Sequence, residues 1–155
     1  MAESKLLAAA LGYAQKGKAV FPCKPGKKTP LTEHGFKDAT TDEAQIRKWW
    51  TENPQAWIGM PTGEANNLFV IDVDVKNGAP GLESLAALEE EHGKLPDTLT
   101  QTTASGGIHY LFEYPKHVKL GISAGKLGMG IDTRGEGGYI IVSPSPGYKW
   151  REVQR

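Results

Sequence analysis

FVIDVDVKNG, residues 69–78, decides how this chain is read. Apolar Phe69, Ile71, Val73 and Val75 alternate with Asp72 and Asp74 before the chain turns at Asn77-Gly78. A period of two is the signature of a strand, in which residues i and i+2 share a face. One face is then core, and Asp72 and Asp74 project together from the other. Two buried like charges are costly, so that second face meets water or a ligand. Paired carboxylates offer the hard oxygens that Mg²⁺ and Mn²⁺ take. A strand end carrying two solvated acids fits the alternation equally well. A calcium loop starting at Asp72 does not fit, because Lys76 and Asn77 fill its fifth and sixth positions and a strand precedes it.

Outward from this strand, helices and strands mix without strict βαβ alternation, which predicts an α+β fold. Residues 4–16 read as a helix with Leu7, Leu11 and Ala14 on one side, ended by Gly17. Residues 18–22 read as a short strand, followed by a Pro-, Gly- and Lys-rich loop. Thr40 and Glu43 have capping-box spacing before a helix at 41–52, where Ile46, Trp49 and Trp50 share a face. A short strand is expected at 56–59, and a helix at 81–92 with Leu82, Leu85 and Leu88 inward. Residues 98–103 are β-prone, Ile131–Arg134 and Tyr139–Val142 read as a hairpin around Gly135–Gly138, and the tail, SPSPGYKW, as a proline-rich loop with room for one last edge strand.

Two further strands carry chemistry. Ser105-Gly106-Gly107-Ile108-His109 is a Gly-Gly turn entering a strand on which His109 opposes the apolar positions. Glycines permit close approach of a ligand to backbone amides, which cradle phosphate, and a histidine beside them hydrogen-bonds a phosphate oxygen. An exposed histidine on a plain hairpin is the alternative. In Ile131-Asp132-Thr133-Arg134, Asp132 and Arg134 share a face. Alone they are a surface pair. If the strands are neighbours, which the sequence alone does not state, Asp132 becomes a candidate third metal ligand beside Asp72 and Asp74, with Arg134 steadying a triphosphate or a template backbone.

The remaining features narrow the classes. The chain has 155 residues, 39% hydrophobic and 23% charged, enough for one soluble domain with a core. No run of eighteen apolar residues exists, and the N-terminus lacks a signal-peptide h-region, so a cytoplasmic location is expected. Cys23 is alone, and His34, His92, His109 and His117 lack zinc spacing, so no zinc is expected. PGKKTP lacks P-loop spacing, and no G-x-G-x-x-G follows a strand. Net charge is zero, yet Lys5, Lys16, Lys18, Lys24, Lys27 and Lys28 face only Glu3 in the first thirty residues. Lys116, His117, Lys119 and Lys126 form a second basic group, suited to phosphates.

The order VIDVD, TASGGIHYLF, GIDTRGEGGYIIVSPS, preceded by GKAVFP, KTP, GFKDATTD, Trp49-Trp50 and PTG, resembles the bifunctional DNA primase/polymerase N-terminal domain family of the archaeo-eukaryotic primase superfamily. The resemblance spans about residues 5–150. It implies a single primase-polymerase domain over 1–155, the N-terminal part of a longer replication protein with a helicase downstream. It implies a two-part core with an RRM-like mixed or antiparallel sheet and flanking helices, the site lying in the cleft between the parts. By resemblance, Asp72, Asp74 and Asp132 bind two Mg²⁺ or Mn²⁺ ions. Ser105, Gly106, Gly107, His109 and Arg134 hold the nucleotide's phosphates, and Lys28 of the K-x-P motif contacts nucleotide or template. The implied activity is DNA-templated nucleotidyl transfer with dNTPs or rNTPs on single-stranded or primed DNA, in plasmid, phage or prophage-type replication. Two rival readings use the same residues: a metal-dependent phosphohydrolase or nuclease, and a non-catalytic nucleotide- or nucleic-acid-binding primase relic.

Overall fold

The computed structural model describes residues 4–117, 121–125 and 127–151; Lys119 and Lys126 of the second basic group lie outside them. Its helices are α1 (Lys5–Gln15), α2 (Glu43–Glu52) and α3 (Gly81–His92). Its strands are β1 (Phe21–Cys23), β2 (Trp57–Pro61), β3 (Phe69–Val73), β4 (Thr100–Thr102), β5 (Ile108–Phe112), β6 (Ser123–Ala124), β7 (Ile131–Arg134), β8 (Tyr139–Val142) and β9 (Lys149–Arg151). Both sheets are antiparallel, and the architecture is α+β as expected. The chain divides into two compact units, one of residues 1–61 and 139–146, the other of 62–138 and 147–155.

The first unit packs α1 and α2 with a three-stranded sheet of order β1-β2-β8. Ser4 caps α1 by accepting from the Leu7 amide at 3.0 Å, and the helix buries Leu6, Leu7, Ala10 and Leu11. The expected strand at 18–22 lies slightly later, at Phe21–Cys23, with Val20 bridged to Thr40. The Thr40–Glu43 capping box does not form. Asp42 is the cap, its Oδ1 accepting from Ala44 N at 3.3 Å, while Thr40 Oγ1 accepts from the Asp42 amide. Helix α2 therefore begins at Glu43, which pairs with Arg47 one turn on at 2.9 Å instead of folding back. Ile46 and Trp50 are buried, and Trp50 Nε1 donates to Ala56 O at 3.0 Å; Trp49 is only half-buried.

The second unit is built on a six-stranded sheet of order β6-β7-β3-β5-β4-β9. Its core side joins Val73 and Ile131 to Leu85 of α3, with Ile71, Leu88, Leu95, Ile108 and Tyr110 packed against them. Leu82, expected to face inward, is 48% exposed in the first turn of α3, where Gly81 and Leu85 are the buried residues. Gly81 takes the buried position at the helix start. A Cβ there would stand 2.4 Å from Asp74 O, so glycine lets α3 abut the end of β3.

Residues 131–142 do not form a hairpin. β7 pairs with β3 and β6, whereas β8 pairs with β2 in the other sheet. Gly135–Gly138 still turns, with Gly138 N donating to Gly135 O, but it carries the chain from one sheet to the other. Both segments are apolar enough to be strands, and the sequence between them is a good turn. Neither property states which partner each strand takes. The tail does supply an edge strand, β9, paired with β4.

Candidate active site

Registered neighbours in a sheet project from the same face. Asp132 on β7 is opposite Asp72 on β3, Asp72 is opposite His109 on β5, His109 is opposite Gln101 on β4, and Gln101 is opposite Trp150 on β9. These residues form one row across the sheet, on the side away from the α3 core. Arg134 lies two positions from Asp132 on the same face, with Nη2 3.6 Å from Asp132 Oδ2 and 3.7 Å from Asp72 Oδ2. His109 Nε2 lies 3.5 Å from Asp72 Oδ1. Asp132 Oδ1 also accepts from the Gly125 amide at 3.2 Å.

This face is not the open surface that alternation suggests. Val70 and Gln101 are fully buried and His109 is 6% exposed, while the Asp72, Asp132 and Arg134 side chains keep between 22% and 28% of their exposure. The charges survive partial burial because they are arranged as a network. Two facing carboxylates repel, and a guanidinium within 4 Å of both offsets that repulsion.

Asp74 stands outside the row. β3 ends at Val73, and the Asp74 backbone is held by Gly130 O and Gly81 N. Its Oδ1 accepts from the Lys76 amide at 2.8 Å, a local turn followed by Asn77 at φ +56°. The strand therefore ends one residue before Asp74, although the Asp74 amide still reaches Gly130 O, next in the β3–β7 register. Among the described residues, no three His, Cys, Asp or Glu side chains are grouped as a metal ion requires. The two carboxylates that the structure brings face to face are Asp72 and Asp132.

The Gly-Gly turn has structural causes of its own. Gly106 has φ +88°, and a Cβ on Gly107 would stand 2.6 Å from Val73 O. The two amides expected to be open to phosphate are engaged within the turn, Gly106 N to Thr103 O and Gly107 N to Thr103 Oγ1. Ser105 is exposed at the tip, its hydroxyl 3.4 Å from that of Thr103. Lys28 belongs to the first unit, where it has φ +56° and its carbonyl accepts from the Tyr139 hydroxyl at 2.8 Å.

Sequence reading missed Gln101. It is fully buried, and its Nε2 lies 2.9 Å from His109 Nδ1. The one available signal was a lone amide in LTQTT, alternating with threonines in a β-prone run. Cys23, in the first unit, is buried, and burial pushes its thiol up to about 12, which suits a packing residue and not a nucleophile.

A family model described as bifunctional DNA primase/polymerase, N-terminal, matches residues 10–155. No curated protein matches the chain.

Proposed function

The chain belongs to the bifunctional DNA primase/polymerase N-terminal family, and from that premise we propose that the Asp132–Asp72–His109 row performs template-directed nucleotidyl transfer. The 3′-hydroxyl oxygen of a primer attacks the α-phosphorus of a nucleoside triphosphate. A new P–O bond forms, the bond to the β-phosphate oxygen breaks, and pyrophosphate leaves with the electron pair. The observation that supports this reading is the register: residues from the three sequence motifs occupy one row on three adjacent strands.

The donor chemistry fits a divalent cation. Asp72 and Asp132 present hard carboxylate oxygens, the ligands that Mg²⁺ and Mn²⁺ take. Their contacts to Arg134, at 3.6 and 3.7 Å, are longer than charge-assisted hydrogen bonds. Two carboxylates and one guanidinium leave the cluster with a net negative charge that favours a cation. Asp72 and Asp132 would hold it, and Asp74, whose Oδ1 accepts from the Lys76 amide, would be the further carboxylate nearby in sequence. When bound, such a cation supplies acidification of the attacking hydroxyl and neutralisation of charge on the leaving pyrophosphate.

The chain's own residues hold the triphosphate. Arg134 offers planar N–H donors to a phosphate oxygen while it keeps the two aspartates from repelling each other. His109 offers Nε2–H, and Ser105 a hydroxyl from the turn before β5. The Gly106 and Gly107 amides drop out of this set, since both are spent inside the turn. Lys28 and its neighbouring lysines follow nucleotide or template phosphates, with affinity falling as salt rises.

A labelled primer annealed to a template, with dNTPs or rNTPs and Mg²⁺ or Mn²⁺, tests the reading. Template-complementary extension with release of pyrophosphate is expected. Shortening of the primer, or nucleotide hydrolysis without incorporation, would replace it with the hydrolase reading.

A further inference from the structure

Gln101 is a fully buried amide opposite His109. A buried amide is costly unless both its ends are engaged. No buried side-chain nitrogen or oxygen among the described residues lacks a hydrogen-bond partner, so the Gln101 amide is committed at both ends. Its Nε2, 2.9 Å from His109 Nδ1, carries hydrogens and no acceptor lone pair. His109 Nδ1 therefore accepts, and in the neutral ring the proton sits on Nε2. At the other end of the ring, Nε2 faces Asp72 Oδ1 at 3.5 Å, and an ionised carboxylate only accepts. Both neighbours favour the same tautomer, Gln101 at hydrogen-bond distance and Asp72 across the longer 3.5 Å gap, so Gln101 is the stronger determinant. The opposite tautomer would set a lone pair against Asp72 and a donor against a donor at Gln101.

We infer that Gln101 is a positioning residue that holds His109 in its Nε2–H form, so that a hydrogen-bond donor is presented beside Asp72 to the phosphates of a nucleoside triphosphate. The consequence for phosphate rests on the nucleotidyl-transfer reading; the tautomer rests on geometry alone. Outer partners of this kind act by fixing ring orientation and proton position.

Long-range ¹H–¹⁵N correlation of the labelled protein at about pH 8, above the usual imidazole range, reads the tautomer directly. A His109→Asn variant identifies the His109 signals. The Nε2–H pattern is expected in the wild-type protein. Gln101→Leu should release a mixture of tautomers, and Gln101→Glu, which supplies an acceptor, should move the proton toward Nδ1. An Nδ1–H pattern in the wild-type protein overturns the inference without any variant having to fold. An unchanged pattern in folded Gln101→Leu overturns it as well. In primer extension, Gln101→Leu should raise the nucleotide KM about tenfold; a fall in kcat alone, in proportion to the folded fraction, contradicts a positioning role. The tautomer is read without substrate. A wild-type protein that incorporates no nucleotide therefore overturns the nucleotidyl-transfer reading, while the spectrum still decides for or against Gln101.

Discussion

Asp72 and Asp132 stand opposite each other on adjacent antiparallel strands, and one Arg134 nitrogen lies 3.7 Å from the first carboxylate and 3.6 Å from the second. Like charges directly opposed across a ladder are destabilising, so this pair exists at a cost that Arg134 reduces.

Removing the guanidinium should expose that cost. Arg134→Met is expected to lower unfolding stability by about 1 kcal/mol in low salt, and by less in high salt, because the groups are partly solvated. Adding Asp132→Asn to Arg134→Met should restore part of the loss. Urea titrations of the single and double variants, each at two salt concentrations, measure both effects. Additive, salt-independent losses would show that the three groups are not coupled.

Asp74 is tied to its own turn, which separates its local role from its proposed chemical one. Asp74→Ala should cost about 1 kcal/mol, the value of a local side-chain cap. Asp74→Asn keeps the oxygen that accepts from Lys76 and should remain near wild-type stability while losing primer extension. Equal destabilisation by both substitutions would remove the turn from the account.

The Gly-Gly turn should respond as backbone and not as a phosphate cradle. Gly107→Ala forces a Cβ against Val73 O and should cost about 1–3 kcal/mol, while Gly106→Ala at φ +88° should cost about 1 kcal/mol. Nucleotide KM should stay unchanged per folded molecule in both. A selective rise in KM without loss of stability would return the amides to the nucleotide site.

Sequence and structure part company where partners, not propensities, decide. Alternation in FVIDVDVKNG locates β3 and puts Asp72 opposite the core face, but it cannot mark the residue at which the strand stops. That stop falls at Val73, just before the Asp74 carbonyl accepts from the Gly81 amide at the start of α3, a contact across a turn that the alternation does not contain. The strands of residues 131–142 are legible from their β-branched and aromatic residues, yet their pairing is not, since β7 and β8 join different sheets. Ser105, His109 and Asp132 are visible because motif spacing carries them. Gln101 is not, because an amide between threonines has meaning only once His109 is known to lie opposite.

Basic pH should weaken the fold through Cys23. Its thiol is pushed up from 9.0 to about 12 by burial, so the folded state keeps its proton after the unfolded chain has lost it. Stability should therefore fall as pH rises from about 9 toward 12. Tyr110 acts in the same direction, raised chiefly by burial, lowered by Arg151 and raised by Glu89. Cys23→Ala should flatten this part of the pH–stability profile, and native Cys23 should resist alkylation until the protein unfolds. An identical slope in Cys23→Ala, or rapid alkylation of the folded protein, would contradict the assignment.

The account centres on Asp132 as the partner of Asp72 in a nucleotidyl-transfer site. Asp132→Asn preserves shape and removes the facing charge, so the folded protein should be at least as stable as wild type. Primer extension by Asp132→Asn, normalised to folded protein and measured with Mn²⁺, is the most direct test. A loss of at least about a hundredfold with undiminished stability is the expected result. Extension within about twofold of wild type would contradict the central claim.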